Sequence, residues 1–140
     1  MLFSPGTTDV HPNVRLVMDG HLKLESGDIQ AIAETFAHDI VWHEFGSTRL
    51  SGSHRGIADV VSYWQVYFAA AGSGFRQDIT EIMANDDFVT SIVRLTGEKR
   101  GLTFAQDAVD IMRMEGNKIA EFWRYYADID AAHRFLLAEC

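Results

Sequence analysis

Residues 103–114 read "TFAQDAVDIMRM", and the stretch alternates. Phe104, Gln106, Ala108, Asp110 and Met112 fall on one face of an extended chain, and Thr103, Ala105, Asp107, Val109, Ile111 and Arg113 on the other. A period of two predicts a strand. Three further stretches, about 75–84, 87–97 and 118–127, read the same way, and "ANDD", "GEKRG" and "MEGNK" supply the turns between them. Within this run Asp110 stands out. It is set among Val109, Ile111 and Met112, where burying a charge is costly.

Upstream the pattern is helical. From Asn13 to Glu25, Val14, Val17, Met18, His21, Leu22 and Leu24 recur roughly at helical spacing. "SGD" at 26–28 breaks the chain, and Asp28 is a good N-cap for a second helix with Ile29, Ile32, Ala33 and Phe36 on one stripe. "DIVWHEF", 39–45, predicts a strand, and "GSTRLSGSHRG", 46–56, a loop. A strong amphipathic helix follows, with Ile57, Val60, Val61, Trp64, Phe68 and Ala71 on one face. A short helix over about 129–138 closes the chain. Helices first and hairpin-linked strands afterwards define an α+β class, with helices packed on one face of an antiparallel sheet. Residues 1–12 carry both prolines and are expected to form a flexible lead-in; 13–140 read as one domain.

The chain's 140 residues suffice for a sizeable core. Its net charge of −8 argues against a nucleic-acid surface and against docking on anionic membrane. The single cysteine, Cys140, is terminal, so no disulfide framework or cysteine zinc site forms within one chain. No signal peptide or membrane-length apolar run is visible, and the expectation is a cytoplasmic protein.

Three features bear on chemistry: Asp110; "WHEF", where the first strand ends in Trp42, His43 and Glu44; and the aromatic strand "AEFWRYY", 120–126. Each has a plainer reading: a strand carboxylate paired with an arginine, a polar strand end, and core or dimer-interface aromatics. Together they suggest acid/base groups in an aromatic pocket. A buried Asp kept neutral can donate to a developing oxyanion, while a second carboxylate or an imidazole moves the proton. The histidines show no HExxH spacing, so no metal is expected; no phosphate-binding loop or nucleophile elbow occurs either.

The segments "SGDIQAIAETFAHDIVWHEFGS", "LSGSHRGIADVVSYW" and "VDIMRMEGNKIAEFWRYYADIDAAHRFL" carry a resemblance. The chain resembles the NTF2-like (nuclear transport factor 2) superfamily, in its SnoaL-like and ketosteroid-isomerase-like branch, from about Val14 to Leu137. The resemblance implies a cone: a curved antiparallel sheet wrapped over three helices and enclosing a pocket. It implies a cofactor-independent isomerase or polyketide-cyclase type of enzyme, working by proton transfer on a small apolar carbonyl compound. The other implied reading is a non-catalytic ligand-binding or dimerisation module. By resemblance Asp110 is the oxyanion-stabilising residue, Glu44 the proton-abstracting one, and His43 the histidine common at that point in SnoaL-like chains. Trp42, His54, Trp64, Gln106, Trp123 and Tyr125 are then expected to bind substrate. The catalytic tyrosine of steroid isomerases is replaced by Gly20. In the last strand the epoxide-hydrolase likeness turns Trp123 and Tyr125 inward, and the steroid-isomerase likeness turns Phe122, Arg124 and Tyr126 inward. Alternation permits one set only, and the first is preferred here. A homodimer is expected through the outer face of the sheet, for which Ile92, Val93, Ile111 and Phe122 supply apolar surface.

Overall fold

In a computed structural model residues 10–138 are described; most of the 1–12 lead-in, Cys140 and the side chain of Ile32 lie outside the described residues. Helix α1 (Pro12–Glu25) starts with proline at its first position, where a missing N–H costs nothing. The His11 ring accepts from the Asn13 N–H at 3.1 Å and bonds Asp86 at 2.9 Å, and Asn13 Nδ2 donates to the Asn85 carbonyl at 3.0 Å. The helix is thereby fastened at its origin to the turn between two strands of the sheet. Helix α2 (Ile29–Ala33) is a single turn after the Asp28 cap, which accepts from the Ala31 N–H at 2.9 Å.

Phe36, expected on the stripe of that second helix, instead opens strand β1 (Phe36–Glu44). The β-branched and aromatic residues from Ile40 onward favour extended chain, and a one-turn helix has no cooperativity to resist it. Part of the expected loop is also a strand, β2 (Gly52–Arg55), held against β1 as an edge. Then come α3 (Ile57–Ala71), the strands β3 (Arg76–Ala84), β4 (Phe88–Lys99), β5 (Leu102–Glu115) and β6 (Lys118–Tyr126), and α4 (Ile129–Leu137).

The six strands form one curved, unclosed sheet in the order β2-β1-β6-β5-β4-β3. All neighbours are antiparallel except β1 and β6, which run parallel, because the chain reaches β1 from the helices and β6 from a hairpin. The alternation read in 103–114 holds: Gln106, Ala108, Asp110 and Met112 are buried on the inner face. Val89, Val93, Leu95, Met112 and Phe122 share that face with Val17 of α1 and with Val60, Trp64 and Ala71 of α3. Val93 and Phe122 therefore belong to the core and leave the expected outer patch, of which Ile92 and Ile111 remain, half-buried. Helix α4 lies over β5 and β6. Its Asp128 cap accepts from the Ala131 N–H at 3.0 Å, and Phe135 packs on Gly97, where a Cβ would meet the ring at 2.8 Å.

Candidate active site

Between the inner face of the sheet, α1 and α3 lies a cavity of about 120 Å³. On the helix side its wall combines apolar side chains (Val17, Trp64, Phe68) with His21, Tyr63 and Tyr67, and on the sheet side it carries a band of polar side chains (Glu44, Asp110, Arg124, Tyr126). A wider hollow of about 590 Å³ adjoins it, sharing His21, Leu24, Phe68 and Gln77 as walls.

The polar band follows from register. Asp110 is aligned with Ser91 on one neighbouring strand and with Arg124 on the other, so all three side chains point inward together. Arg124 Nε and Nη2 donate to the two Asp110 oxygens at 2.6 and 2.7 Å, the planar fork that guanidinium and carboxylate form best. Burial acts to lower the pKa of Arg124, but the Asp110 carboxylate outweighs it and holds the guanidinium well above its ordinary value. The neutral-donor role expected for Asp110 needs an O–H aimed into the cavity. In the structure both oxygens accept from Arg124, so the group facing the cavity as a donor is Arg124.

Glu44, 5% exposed, ends β1 with its side chain inward. Its Oε1 accepts from the Tyr63 hydroxyl and, at 3.3 Å, from the Tyr126 hydroxyl. Its Oε2 meets His133 Nε2 of α4 at 3.1 Å. Tyr126 also pairs with Tyr67 at 3.0 Å. The result is a chain from Tyr67 through Tyr126 to Glu44, then Tyr63 and His133, with the Asp110–Arg124 pair beside it on the cavity. Burial, aided by the Glu44 charge, pushes the Tyr63 hydroxyl far above its ordinary value, and burial with the neighbouring Tyr67 and Glu44 does the same for Tyr126. Tyr67 is raised too, by burial, against the pull of Arg124. All three phenols are held as donors.

Of the residues expected at the site, Glu44, Asp110, Trp42 and Trp64 come together on the cavity. Trp42 stacks on Phe122 at 3.6 Å and stands edge-on to Trp64 at 5.4 Å, so both indoles shape the wall. Five others need correction. His43, Trp123 and Tyr125 lie on the outer face of the sheet, where the His43 ring stacks on Trp123 at 5.5 Å and Tyr125 is half exposed. The preferred orientation of the last strand is thus reversed, and Phe122, Arg124 and Tyr126 are the inward set. His54 stands behind the cavity wall with its ring on Tyr63 at 4.3 Å. Gln106 is inward but spans to Asp128, donating to its carbonyl at 3.0 Å and accepting from its N–H at 3.2 Å, so it fixes the start of α4.

Sequence reasoning missed Tyr63, Tyr67 and His133, and set Arg124 and Tyr126 aside. The signal for the two helix tyrosines was present, since 60, 63, 64, 67 and 71 mark one broad buried stripe. Among the described residues no group of three or more His, Cys, Asp or Glu side chains is placed to hold a metal ion, and no helix is long and apolar enough to cross a membrane.

Comparison with known proteins returns the same fold. The SnoaL-like domain family matches residues 19–122, and the chain belongs to that family. A relative in Mycobacterium bovis, the uncharacterized protein Mb0035, is 26% identical over 110 residues, which cover 78% of this chain and 84% of the relative. Bal32a, from a soil-derived mobile gene cassette, superposes with a TM-score of 0.82 at 23% identity, over 89% of this chain and 96% of Bal32a. An NTF2-like protein from Burkholderia pseudomallei does so with a TM-score of 0.82 at 15% identity, over 92% and 100% of the two chains. At such identities the two structures establish the NTF2-like fold and nothing further.

Proposed function

We propose that the chain binds a small, largely apolar carbonyl compound in its cone and moves a proton next to the carbonyl, as an isomerase or cyclase does, with no cofactor. One observation carries the reading. An ionised carboxylate offers about four lone-pair sites, and three of those on Glu44 are engaged, by Tyr63, Tyr126 and His133. Glu44 also lines the cavity, where a base is poorly solvated and held in one orientation. The donor for a developing oxyanion stands alongside. Arg124 lines the same cavity and has N–H groups beyond the two given to Asp110, while the Tyr67 and Tyr126 protons are engaged in the Tyr67–Tyr126–Glu44 chain. A carbonyl oxygen at Arg124 sets the adjacent carbon toward Glu44. Asp110 then acts through Arg124, holding the guanidinium charged and oriented.

The cavity volume limits the ligand. An apolar cavity of about 150 Å³ admits benzene, so the space here suits a single ring, with any extension running into the adjoining hollow. The test is hydrogen–deuterium exchange at the α-carbon of small cyclic ketones and lactones, followed by NMR. Glu44→Gln should lower exchange by ~10²–10⁴-fold while ligand binding persists. Unchanged exchange in that variant would remove Glu44 from the mechanism. A second reading, a binding module without turnover, draws support from the complete internal pairing of the buried polar groups: among the described residues no buried side-chain N or O lacks a partner. Saturable binding without exchange in the unaltered protein would select it.

The same reading makes residues 13–140 one cytoplasmic domain that pairs with a second copy through the outer face of β4 and β5, around Ile92 and Ile111. Light scattering at micromolar concentration tests the pairing, and a monomeric mass refutes it.

A further inference from the structure

The outer face of the sheet holds a second constellation that the cavity does not use. His43 on β1 stands between Ser53 on β2 and Glu121 on β6. Its Nδ1 is 2.9 Å from Ser53 Oγ, and its Nε2 is 2.6 Å from Glu121 Oε2. Arg113 Nε donates to the other Glu121 oxygen at 3.3 Å. An ionised carboxylate only accepts, so the imidazole proton sits on Nε2, and Nδ1 keeps a lone pair toward the serine O–H. Burial pushes the Glu121 carboxyl up, but hydrogen bonds from His43 and Arg113 outweigh it and hold the group below its ordinary value.

Register explains the proximity. Gly56 N–H bonds the Ile40 carbonyl, and hydrogen-bonded pairs alternate along an antiparallel ladder. His54–Trp42 is then bonded, and Ser53–His43 is the pair without ladder bonds, where side chains approach closest. For the same reason the backbone N–H of Ser53 turns to the free edge of the sheet. Ser53 is exposed, and Arg55 follows on the same face with no ion pair among the described residues. The His43 ring is backed by Trp123, an apolar surface for an acyl chain.

We propose that Ser53, His43 and Glu121 form a nucleophilic acyl-transfer site for small activated esters. Ser53 Oγ bonds to the ester carbonyl carbon as its proton passes to His43 Nδ1, with Glu121 holding the imidazole. The carbon–oxygen bond to the alcohol breaks, and the alcohol leaves with that proton. Water then adds to the acyl group on Ser53, passing a proton to His43, and the acid departs with the Ser53 hydroxyl restored. The Ser53 N–H at the free edge and Arg55 on the same face are the donors this proposal assigns to the oxygen that becomes negative. This site shares the outer face of the sheet with the β4–β5 patch, since Trp123 is paired with Ile111 across the strands, and it is independent of the cavity chemistry.

The test uses the whole chain with p-nitrophenyl acetate as substrate and phenylmethylsulfonyl fluoride as label. The expected result is a single sulfonyl adduct that peptide mapping places on Ser53. Ester hydrolysis should fall by ~10²–10⁴-fold in both Ser53→Ala and His43→Gln, and in part in Glu121→Gln. Ser53 is exposed, so its alanine variant should melt like the parent. No adduct, an adduct elsewhere, or hydrolysis at the parent rate in Ser53→Ala or His43→Gln overturns the proposal.

Discussion

Asp110→Asn distinguishes a counter-ion from a neutral hydrogen-bond donor. The substitution preserves volume, so packing against Met112 and Ser91 survives. What changes is the charge. The Asp110 and Arg124 side chains are 8% and 11% exposed, and the fork distances are 2.6 and 2.7 Å. Two unit charges about 4 Å apart attract by ~4 kcal/mol at an effective dielectric constant of about 20. Removing one member of such a buried pair costs ~3–5 kcal/mol, because the other is left uncompensated. The tyrosine hydroxyl beside Arg124 takes up part of the deficit, which favours the lower end, about 3 kcal/mol. For a chain of 140 residues that is a fall in Tm of roughly 10 °C. Arg124→Gln alone should cost a similar amount. Asp110→Asn combined with Arg124→Gln replaces the ion pair by an amide pair and should recover much of the loss, giving a coupling energy of about 2 kcal/mol. Urea denaturation followed by tryptophan fluorescence, with an unchanged m-value, reads all four proteins. A single Asp110→Asn variant within ~0.5 kcal/mol of the parent would refute the argument, since a neutral donor at 110 is replaced by Asn without cost.

Gly20→Ala should stabilise α1 by ~0.5–1 kcal/mol, because the new methyl meets Thr35 at an ordinary 3.7 Å; chemical denaturation checks it. Gly46→Ala should do the reverse, by ~2 kcal/mol or more. Its φ is +104° and a Cβ lies 2.6 Å from the His133 ring, so the Glu44–His133 bond should also be lost from histidine NMR. The raised pKa values of Tyr63, Tyr67 and Tyr126 contribute stability that is intact below the unfolded value of about pH 10 and lost as pH rises through the folded values. Tyrosinate absorbance from these three should therefore appear together with alkaline unfolding, and its appearance while the fold persists would contradict their burial. Glu121 has the opposite sign. Its contribution is present above the unfolded value of about pH 4.3 and lost as pH falls through the depressed folded value, so Glu121→Gln should flatten the acid limb of the stability profile.

The architecture was legible wherever an element carries its own periodicity. The helices α1, α3 and α4 and the strands β3 to β6 begin and end close to where capping, turn and alternation signals place them. What was not legible depends on partners. "GSHR" has no apolar residue to mark it as a strand, and β2 exists because β1 offers it an edge. The parallel pairing of β1 with β6 joins residues about eighty positions apart, which no local pattern encodes. The site divides the same way. Glu44, Asp110, Trp42 and Trp64 are unusual in their own stretch of sequence, whereas Tyr63, Tyr67 and His133 are ordinary members of buried helix stripes whose polar ends converge only in the fold.

The orientation of the last strand shows how small the deciding feature can be. The β5–β6 hairpin starts with Glu115 opposite Lys118 and Met114 opposite Ile119. Continued without interruption, that register sets Asp110 opposite Trp123 and turns Trp123 and Tyr125 into the cone. A bulge intervenes: Arg113 pairs with Glu121, so one extra residue, Ala120, is taken up on β6. A one-residue shift sends every later side chain to the other face. Arg124 then meets Asp110, Tyr126 reaches Glu44, and Trp123 goes outside to the His43 ring. The charge on Asp110 gives the bulge a reason. In the unshifted register a buried carboxylate faces an indole, and in the shifted one it faces a guanidinium. The difference of several kcal/mol exceeds the loss of a ladder hydrogen bond, about 1 kcal/mol. The carboxylate that looked misplaced in a strand of apolar residues is thus the group that fixes which face of its neighbour lines the cavity.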